Sequence, residues 1–598
     1  MEKTNSFVSS SGDQQKSPEK HLKPRIPPEI SGLQYNFCKN LTCSQFGLIS
    51  DNQPKEKNKK KPYRFVSGGK NYPLLKCNEC GESPPLKSNH GIISEINRIS
   101  KYLKLDKNIS CSNKSCENQS VPLGAKKAYR SFGKTKAGAS RYQCKKCFKT
   151  FSIPLPTQYQ HDTHHNIMIF KMLVNKVPLA RIVNMLEISW EVLYHRINFI
   201  HKQCLAFVAN RERKLKKLPI ERLHLAVDRQ DYVVNWTERK DKRNVILSSI
   251  ASADNKTGYV FGIHPNFDAT VNREEIEAHA KLCGDHKFPP LHRVYPQYWL
   301  EADYRESLKR KQTKLKGNNL TESIKITYKE ASKRDDDVEV FDRKDSDEKL
   351  PDYGMQIHAE YTLIAHFYFL KKLLGNVDKW RFFLDQESGI RGAFISAFQE
   401  EIVNHDAEAF YIKIAKNYTV DQKRSYVAEV QKELDLYSKE FPELTKDQLK
   451  LKLLKSAIAE SQEIGQWQDR WVKHPIPSMS EPNKSMCWLT SHAEFDEDHI
   501  AWLYNMVSLH GVDTFFEKIR RRIYMLERPL HSSSNDGRTW SGYAAYDPNN
   551  VIKMVEIFRV VHNYIDTRKK EGKKTTPAMR LGLSQAPMKY EDILYFRE

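Results

Sequence analysis

Two constellations in this sequence hold residue types suited to metal chemistry, one of thiolates and one of carboxylates. The first is Cys38-x4-Cys43 followed by Cys77-x2-Cys80, and its plan recurs as Cys111-x4-Cys116 followed by Cys144-x2-Cys147. Each pair forms a short knuckle offering two thiolates, and two knuckles close the tetrahedron of soft ligands that structural zinc demands. Both spacings recur in the same order, with Tyr63-Arg64-Phe65 in one interval and Tyr129-Arg130-Ser131-Phe132 in the other, which points to an internal duplication. Cysteine fills all four positions of each set. The expected metals are therefore two structural Zn2+ ions that stiffen modules too small to bury a core of their own. Eight of the eleven cysteines lie in these sets, a clustering that argues against a disulfide framework. Cys204, Cys283 and Cys487 stand apart and are expected as packed thiols.

The second constellation consists of acids that close apolar runs. Leu223–Asp228 and Trp380–Asp385 each read as a buried strand ending in a carboxylate. Adjacent strand ends would put both acids on one sheet edge, where oxygen ligands suit Mg2+ or Mn2+. Two such ions about 4 Å apart serve the attacking and the leaving oxygen of a phosphodiester displacement. A third acid is expected on a helix with the apolar stripe Val512, Phe515, Phe516, Ile519, Ile523 and Leu526. Asp513 borders that stripe, while Glu517 points further toward solvent. Glu527 has an acceptable helical phase but stands about 21 Å along the axis from Asp513, so the two cannot serve one site. Asp513 is the first choice and Glu527 the second. Asp268 and Asp303 lack an evident partner strand and rank lower. His264 and His358 are expected as packed or hydrogen-bonded side chains, and core packing is the default for Trp467, Trp471 and Trp488.

The elements that would position these groups follow from periodicity. Strands are expected at 243–253 and 258–264, making an antiparallel meander with the Asp228 strand, and again at Phe410–Ile414. A turn at Gly389 leads into a helix over 390–398. Upstream, after Pro154 and Pro156, three apolar helices joined by short connections, with Ser189 capping the third, fit a helix-turn-helix. Trp190, Glu191, Tyr194, His195 and Arg196 would then open the recognition helix. Lys134, Lys136, Arg141, Lys145, Lys146 and Lys149 surround the second cysteine set and are placed to meet phosphates. The stretch Arg211–Lys217 reads as a basic connector.

A net charge of +23 over 598 residues, with pI near 9.3, favours a polyanionic partner. Apolar content of 39% and charged content of 29% are ordinary for globular domains. No run of eighteen apolar residues occurs, which excludes a helical membrane span. The first twenty residues are polar, lack an apolar core, and read as a disordered tail rather than a signal peptide.

These residues resemble the insertion-sequence transposases of the DDE type. The resemblance rests on Val227-Asp228 and Leu384-Asp385 for the first two acids, and on Leu509–Phe516 with Arg520-Arg521 for the helix bearing the last. It also rests on the basic ribbon Arg141–Phe151, on Phe558-Arg559 with His562-Asn563-Tyr564, and on Thr576-Pro577-Ala578 with Leu581-Gly582. It implies an α/β fold class, an RNase H-like mixed sheet flanked by helices, preceded by two zinc ribbons and an all-α helix-turn-helix. The expected partition is a tail (1–30), zinc ribbons (31–95 and 100–156), helix-turn-helix (157–220), catalytic domain (221–530) and a C-terminal helix and tail (531–598). Insertions are expected near 300–350, carrying Lys309–Lys311 and Asp335–Asp337, and near 420–465. The resemblance further implies cleavage and joining of double-stranded DNA at transposon ends. Asp228, Asp385 and Asp513 would hold the ions, in a homodimer or larger assembly of a bacterial, nucleoid-associated protein. An Asp in the last position, where the family pattern carries Glu, requires the helix to sit closer to the metals.

Overall fold

The computed structural model describes residues 26–49, 61–68, 72–104, 109–125, 127–235, 240–241, 243–310, 319–333, 348–387, 389–415, 418–465, 468–491, 495–528, 542–570 and 572–597. The polar tail, Asp335–Asp337 and Trp467 lie outside them.

At the N-terminal end, β1 (Tyr63–Gly68) pairs with β2 (Tyr72–Cys77), and α1 (Asn89–Ile99) follows. The repeat of this plan is β3 (Tyr129–Lys134), β4 (Ser140–Cys144) and β5 (Thr150–Ser152). Three helices come next, α2 (His165–Leu173), α3 (Leu179–Leu186) and α4 (Trp190–Glu212). The chain then builds β6 (Ile220–Val234), β7 (Val245–Asp254) and β8 (Val260–Pro265), an antiparallel meander of the expected kind.

A largely helical excursion separates β8 from the next long strand. It holds β9 (Phe267–Asp268), α5 (Arg273–Leu282), α6 (Glu301–Arg310), α7 (Leu320–Lys333) and β10 (Met355–Gln356). Then come α8 (Ala359–Leu373), β11 (Val377–Asp385), α9 (Ile390–Ala397), α10 (Gln399–Val403) and β12 (Ala407–Ile414). The second excursion contains α11 (Val420–Glu440) and α12 (Lys446–Ala459), each opened by a threonine capping box. Three short strands, β13 (Gln462–Ile464), β14 (Asp469–Lys473) and β15 (Lys484–Trp488), extend the sheet. The chain closes with α13 (Glu497–Met506), α14 (His510–Arg522), α15 (Pro548–Tyr564) and a short terminal helix, Tyr590–Leu594.

The central sheet has eight strands in the order β13-β14-β15-β12-β11-β6-β7-β8. Strands β6, β11 and β12 run parallel, and the outer strands on both sides are antiparallel. Alternation assigns the two faces. Leu225 and Val227 of β6 pair in register with Phe382 and Leu384 of β11. On this face Phe382 meets Phe367 of α8 and Phe394 of α9. The other face carries Ala226 and Asp228 beside Phe383 and Asp385, and helices α13 and α14 cover it. There Tyr504 of α13 meets Phe410, and Gly511 of α14 sits so close to Ala253 and Asn255 that a side chain would collide with the Asn255 amide. The result is a mixed sheet flanked by helices. Among the described residues no helix is long and apolar enough to cross a membrane.

Two sequence expectations change here. Strand β6 does not stop at Asp228 but runs on to Val234, because β7 pairs with it along that whole length. The basic connector begins inside α4, whose last residue, Glu212, is completely buried.

Candidate functional site

The register between β6 and β11 aligns Leu384 with Val227, so the next residues, Asp385 and Asp228, emerge side by side on one face. A ligand oxygen from each, and one from Glu387, all lie within 4.8 Å of one another. Asp385 is 8% exposed and ends its strand, while Gln386 adds one further backbone bond to Ile412 at 2.9 Å. The backbone N–H of Arg229 donates to Asp228 Oδ1 at 2.7 Å, and the Arg229 guanidinium pairs with Glu387. Glu387 was not singled out from the sequence. It follows β11 in a tight turn, its N–H donating to the Asp385 carbonyl at 2.8 Å, and its nearness to Asp385 in the sequence was the available signal.

The donor set consists only of carboxylate oxygens, with no thiolate or imidazole, and it sits at the C-terminal edge of parallel strands. Hard divalent cations such as Mg2+ or Mn2+ fit such a set. Asp513 lies in the first turn of α14, which packs across β6 and β7 on the face that bears Asp228 and Asp385. It is not one of the three acids that gather within 4.8 Å. One turn pair along the helix, Arg520 donates to Gln230, two residues beyond Asp228 on β6. Glu527 is corrected: α14 ends at Arg522, and Glu527 lies past a short 3-10 turn, paired with Lys176 at 2.8 Å. Ile523 and Leu526 are buried but likewise follow the helix rather than belong to it.

The lower-ranked groups are held by protein partners. Asp268 accepts from Tyr298 at 2.9 Å, Asp303 pairs with Arg293, and His264 Nδ1 meets His366 Nδ1 at 2.8 Å in a buried pair. His358 is buried against Trp299, and burial pushes it down to about 3. Trp471 and Trp488 are buried in the sheet, as are the thiols Cys204 and Cys487 in their own surroundings. Cys283 departs from expectation, being exposed at the end of α5.

Both cysteine sets are assembled. Cys38, Cys43, Cys77 and Cys80 gather in one group, and Cys111, Cys116, Cys144 and Cys147 in the other. All eight are free thiols. The closest sulfurs stand 3.4 and 3.8 Å apart in each set, near the edge of about 3.8 Å for a tetrahedron with Zn–S bonds of about 2.3 Å. The duplication extends to the second layer. Tyr63 pairs across from Cys77 and its hydroxyl accepts from the Cys38 N–H at 3.1 Å; Tyr129 pairs across from Cys144 and accepts from the Cys111 N–H at 3.0 Å. At Cys144, burial acts to raise the thiol, but the N–H groups of Cys147 and Lys146 and the Asn118 amide outweigh it, bringing it down to about 6.

The two ribbons differ in support. The first leans on the main body: Lys87 pairs with Glu360 at 2.5 Å, Tyr361 accepts from the Ser88 N–H at 3.1 Å, and Gln399 donates to the Gly47 carbonyl at 3.0 Å. Helix α1, which spans the expected end of ribbon 1 at residue 95, packs on α8. Among the described residues, the second ribbon is packed around its own small apolar cluster. Metal binding should therefore carry nearly all of its folding energy, about 10 kcal/mol or more. Elemental analysis is expected to find two zinc ions per chain. Cys144→Ser should leave one and expose the 109–153 segment to protease, with the main body still cutting-resistant.

Three helices, α2, α3 and α4, stand where the sequence pattern places them, the third running for 23 residues. Ser189 caps α4 by accepting from the Val192 N–H at 3.2 Å. Trp190 and Tyr194 are exposed and stacked, with ring centroids 6.3 Å apart, and His195 is exposed beside Glu191. Arg196 is corrected: it is 7% exposed, and its guanidinium donates to the His161 carbonyl, so it braces the unit rather than facing outward. On ribbon 2, Lys145 and Lys146 are exposed, the latter paired with Glu117, while Arg141 is half-buried over the Phe132 ring. The turn between α3 and α4 holds exposed Glu187 at φ 52, ψ 38, left-handed backbone that favours glycine. Glu187→Gly is expected to stabilise the protein by up to about 1 kcal/mol, read as a higher melting temperature.

In comparisons with known proteins, no family model and no curated protein matches the chain.

Proposed function

We propose that this chain is a DDE-type DNA transposase, cutting at transposon ends and joining the freed 3′-hydroxyl to target DNA. The observation that carries the reading is the meeting of Asp228 and Asp385, distant in sequence, on neighbouring parallel strands with Glu387 beside them. The sheet supports an RNase H-like domain: three antiparallel strands, then two parallel ones with helices between, and an acid on the first and the fourth.

In this reading Asp228 and Asp385 hold Mg2+ or Mn2+, with Asp513 brought in from α14 as the third acid. Bound divalent ions supply Lewis acidity at the attacked phosphate and a more acidic attacking hydroxyl. The side chains of the site keep fixed oxygen acceptors at the sheet edge, and the Arg229 partner of Glu387 limits the repulsion among three clustered acids. Trp190, Tyr194 and His195 on α4 present a groove-reading surface, and the cations of ribbon 2 add phosphate contacts. Two ends must be held together, which calls for a dimer or larger assembly.

The test is incubation of the protein with Mg2+ or Mn2+ and a supercoiled plasmid bearing the DNA ends that flank its gene. Covalently joined products are the expected result. Cut ends that are never joined would reduce the protein to a nuclease, and binding without cutting would make it a DNA-binding regulator.

A further inference from the structure

We infer that Phe148, on the second zinc knuckle, is a stacking platform for an unpaired base, so that ribbon 2 binds single-stranded DNA beside a cut or frayed end. This rests on the DNA-binding part of the proposed function and on none of its catalysis.

The duplication supplies the internal comparison. In ribbon 1 the residue after the last cysteine is Gly81, with φ 78, and its N–H donates to the Cys77 carbonyl at 3.0 Å. In ribbon 2 the same place holds Phe148, with φ 57, its N–H donating to the Cys144 carbonyl at 3.0 Å. The backbone demand is the same, yet one copy meets it with the residue suited to left-handed backbone and the other with a bulky aromatic that is disfavoured there. The ring gains little burial in exchange, for Phe148 is 65% exposed. A residue that is unfavourable by conformation and by hydration, at a position where glycine serves in the sister copy, is retained for something outside the fold.

The surroundings identify the partner as a nucleic acid strand. Between Ile109 and Ile153 there are ten Lys or Arg residues and one acid, Glu117. Arg130, Lys134, Lys145 and Lys149 are all exposed. Arg130 donates to the Gln143 side chain at 2.6 Å, and Gln143 donates to the Phe148 carbonyl at 2.8 Å, which ties a cation to the knuckle and fixes its backbone. Cations that track phosphates around an exposed aromatic face on a fixed backbone are the elements of single-strand binding, since an unstacked base offers a π-face that a duplex hides. Among the described residues, the hydrogen bonds of this module run within itself, so the knuckle face is not spoken for by the main body.

The experiment uses the full-length zinc-loaded protein and fluorescence anisotropy with two probes, a short oligothymidylate and a duplex of equal length. Phe148→Gly is expected to weaken oligothymidylate binding by about tenfold or more while changing duplex binding less than about twofold. Its melting temperature should be unchanged or higher, because glycine relaxes the knuckle, and Phe148→Tyr should bind like the parent. Undiminished oligothymidylate binding by Phe148→Gly, or an equal loss on both probes, would overturn the inference. If the parent binds duplex but not oligothymidylate, the inference falls and the proposed function stands. If it binds neither, the DNA-binding reading falls with it.

Discussion

Asp385→Asn is expected to lower metal-dependent DNA cleavage by about a thousandfold or more while duplex affinity stays within about twofold. The substitution preserves shape and removes charge. Asp385 is the least exposed of the three clustered acids and ends β11, so its carboxylate has little freedom to be replaced by a neighbour or by water. An amide there offers one neutral oxygen and turns an N–H toward a cation. Asp228→Asn should behave alike. Glu387→Gln should cost less, about ten- to a hundredfold, because Glu387 also serves Arg229 and its loss loosens the site rather than removing a central ligand. Asp513→Asn in the same assay identifies the third acid. A loss matching that of Asp385→Asn assigns it to α14, whereas retained activity alongside a large loss in Glu387→Gln assigns it to Glu387. Normal cleavage by Asp385→Asn would remove the basis of the proposed chemistry.

The second large effect concerns stability. Arg559→Met is expected to destabilise the protein by about 3–5 kcal/mol, seen as an earlier urea midpoint for the signal of the main body. Glu212 is fully buried at the end of α4, and Arg559 Nη1 pairs with it at 2.6 Å. Tyr259 donates to the same carboxylate at 2.8 Å and Tyr102 to its other oxygen. Burial alone would lower the Arg559 pKa, but Glu212 and the two tyrosines outweigh it and the guanidinium stays charged. Removing Arg559 strands a buried carboxylate with two hydroxyl donors and no counter-charge. The double substitution Glu212→Leu with Arg559→Met should recover much of the loss, since the apolar pair leaves nothing uncompensated. If the single variant melts like the parent, the pair is not an essential link between α4, β8 and α15.

Metal-ligand spacing was the most legible feature of the sequence, because a knuckle is a local object and its chemistry is written within a few residues. The strand periodicity around Asp228 and Asp385 was legible for the same reason. Their meeting depends on the parallel register of β6 with β11, across more than a hundred residues of excursion, and nothing local encodes it. Glu387 escaped notice because it follows the strand in a turn, where polar residues are ordinary. Arg196 and Glu527 were misjudged through their partners: helical phase cannot reveal that the His161 carbonyl waits behind one, or that α14 stops before the other. The docking of ribbon 1 was equally hidden, since it lies in α8 and α10 rather than in the ribbon.

Helix α4 opens with Trp190 at the three-helix unit and closes with Glu212 in the buried network, 23 residues without a break. At 1.5 Å per residue it is a rod of about 34 Å, close to the pitch of one duplex turn. Such a rod conveys angle as faithfully as distance. Each residue added to it would advance the exposed aromatic end by about 1.5 Å and swing it by about 100° around the axis. The exposed aromatic end and the buried network are thus geared together, and under the proposed function a duplex held at the one would meet the other at a constant offset and on a constant side.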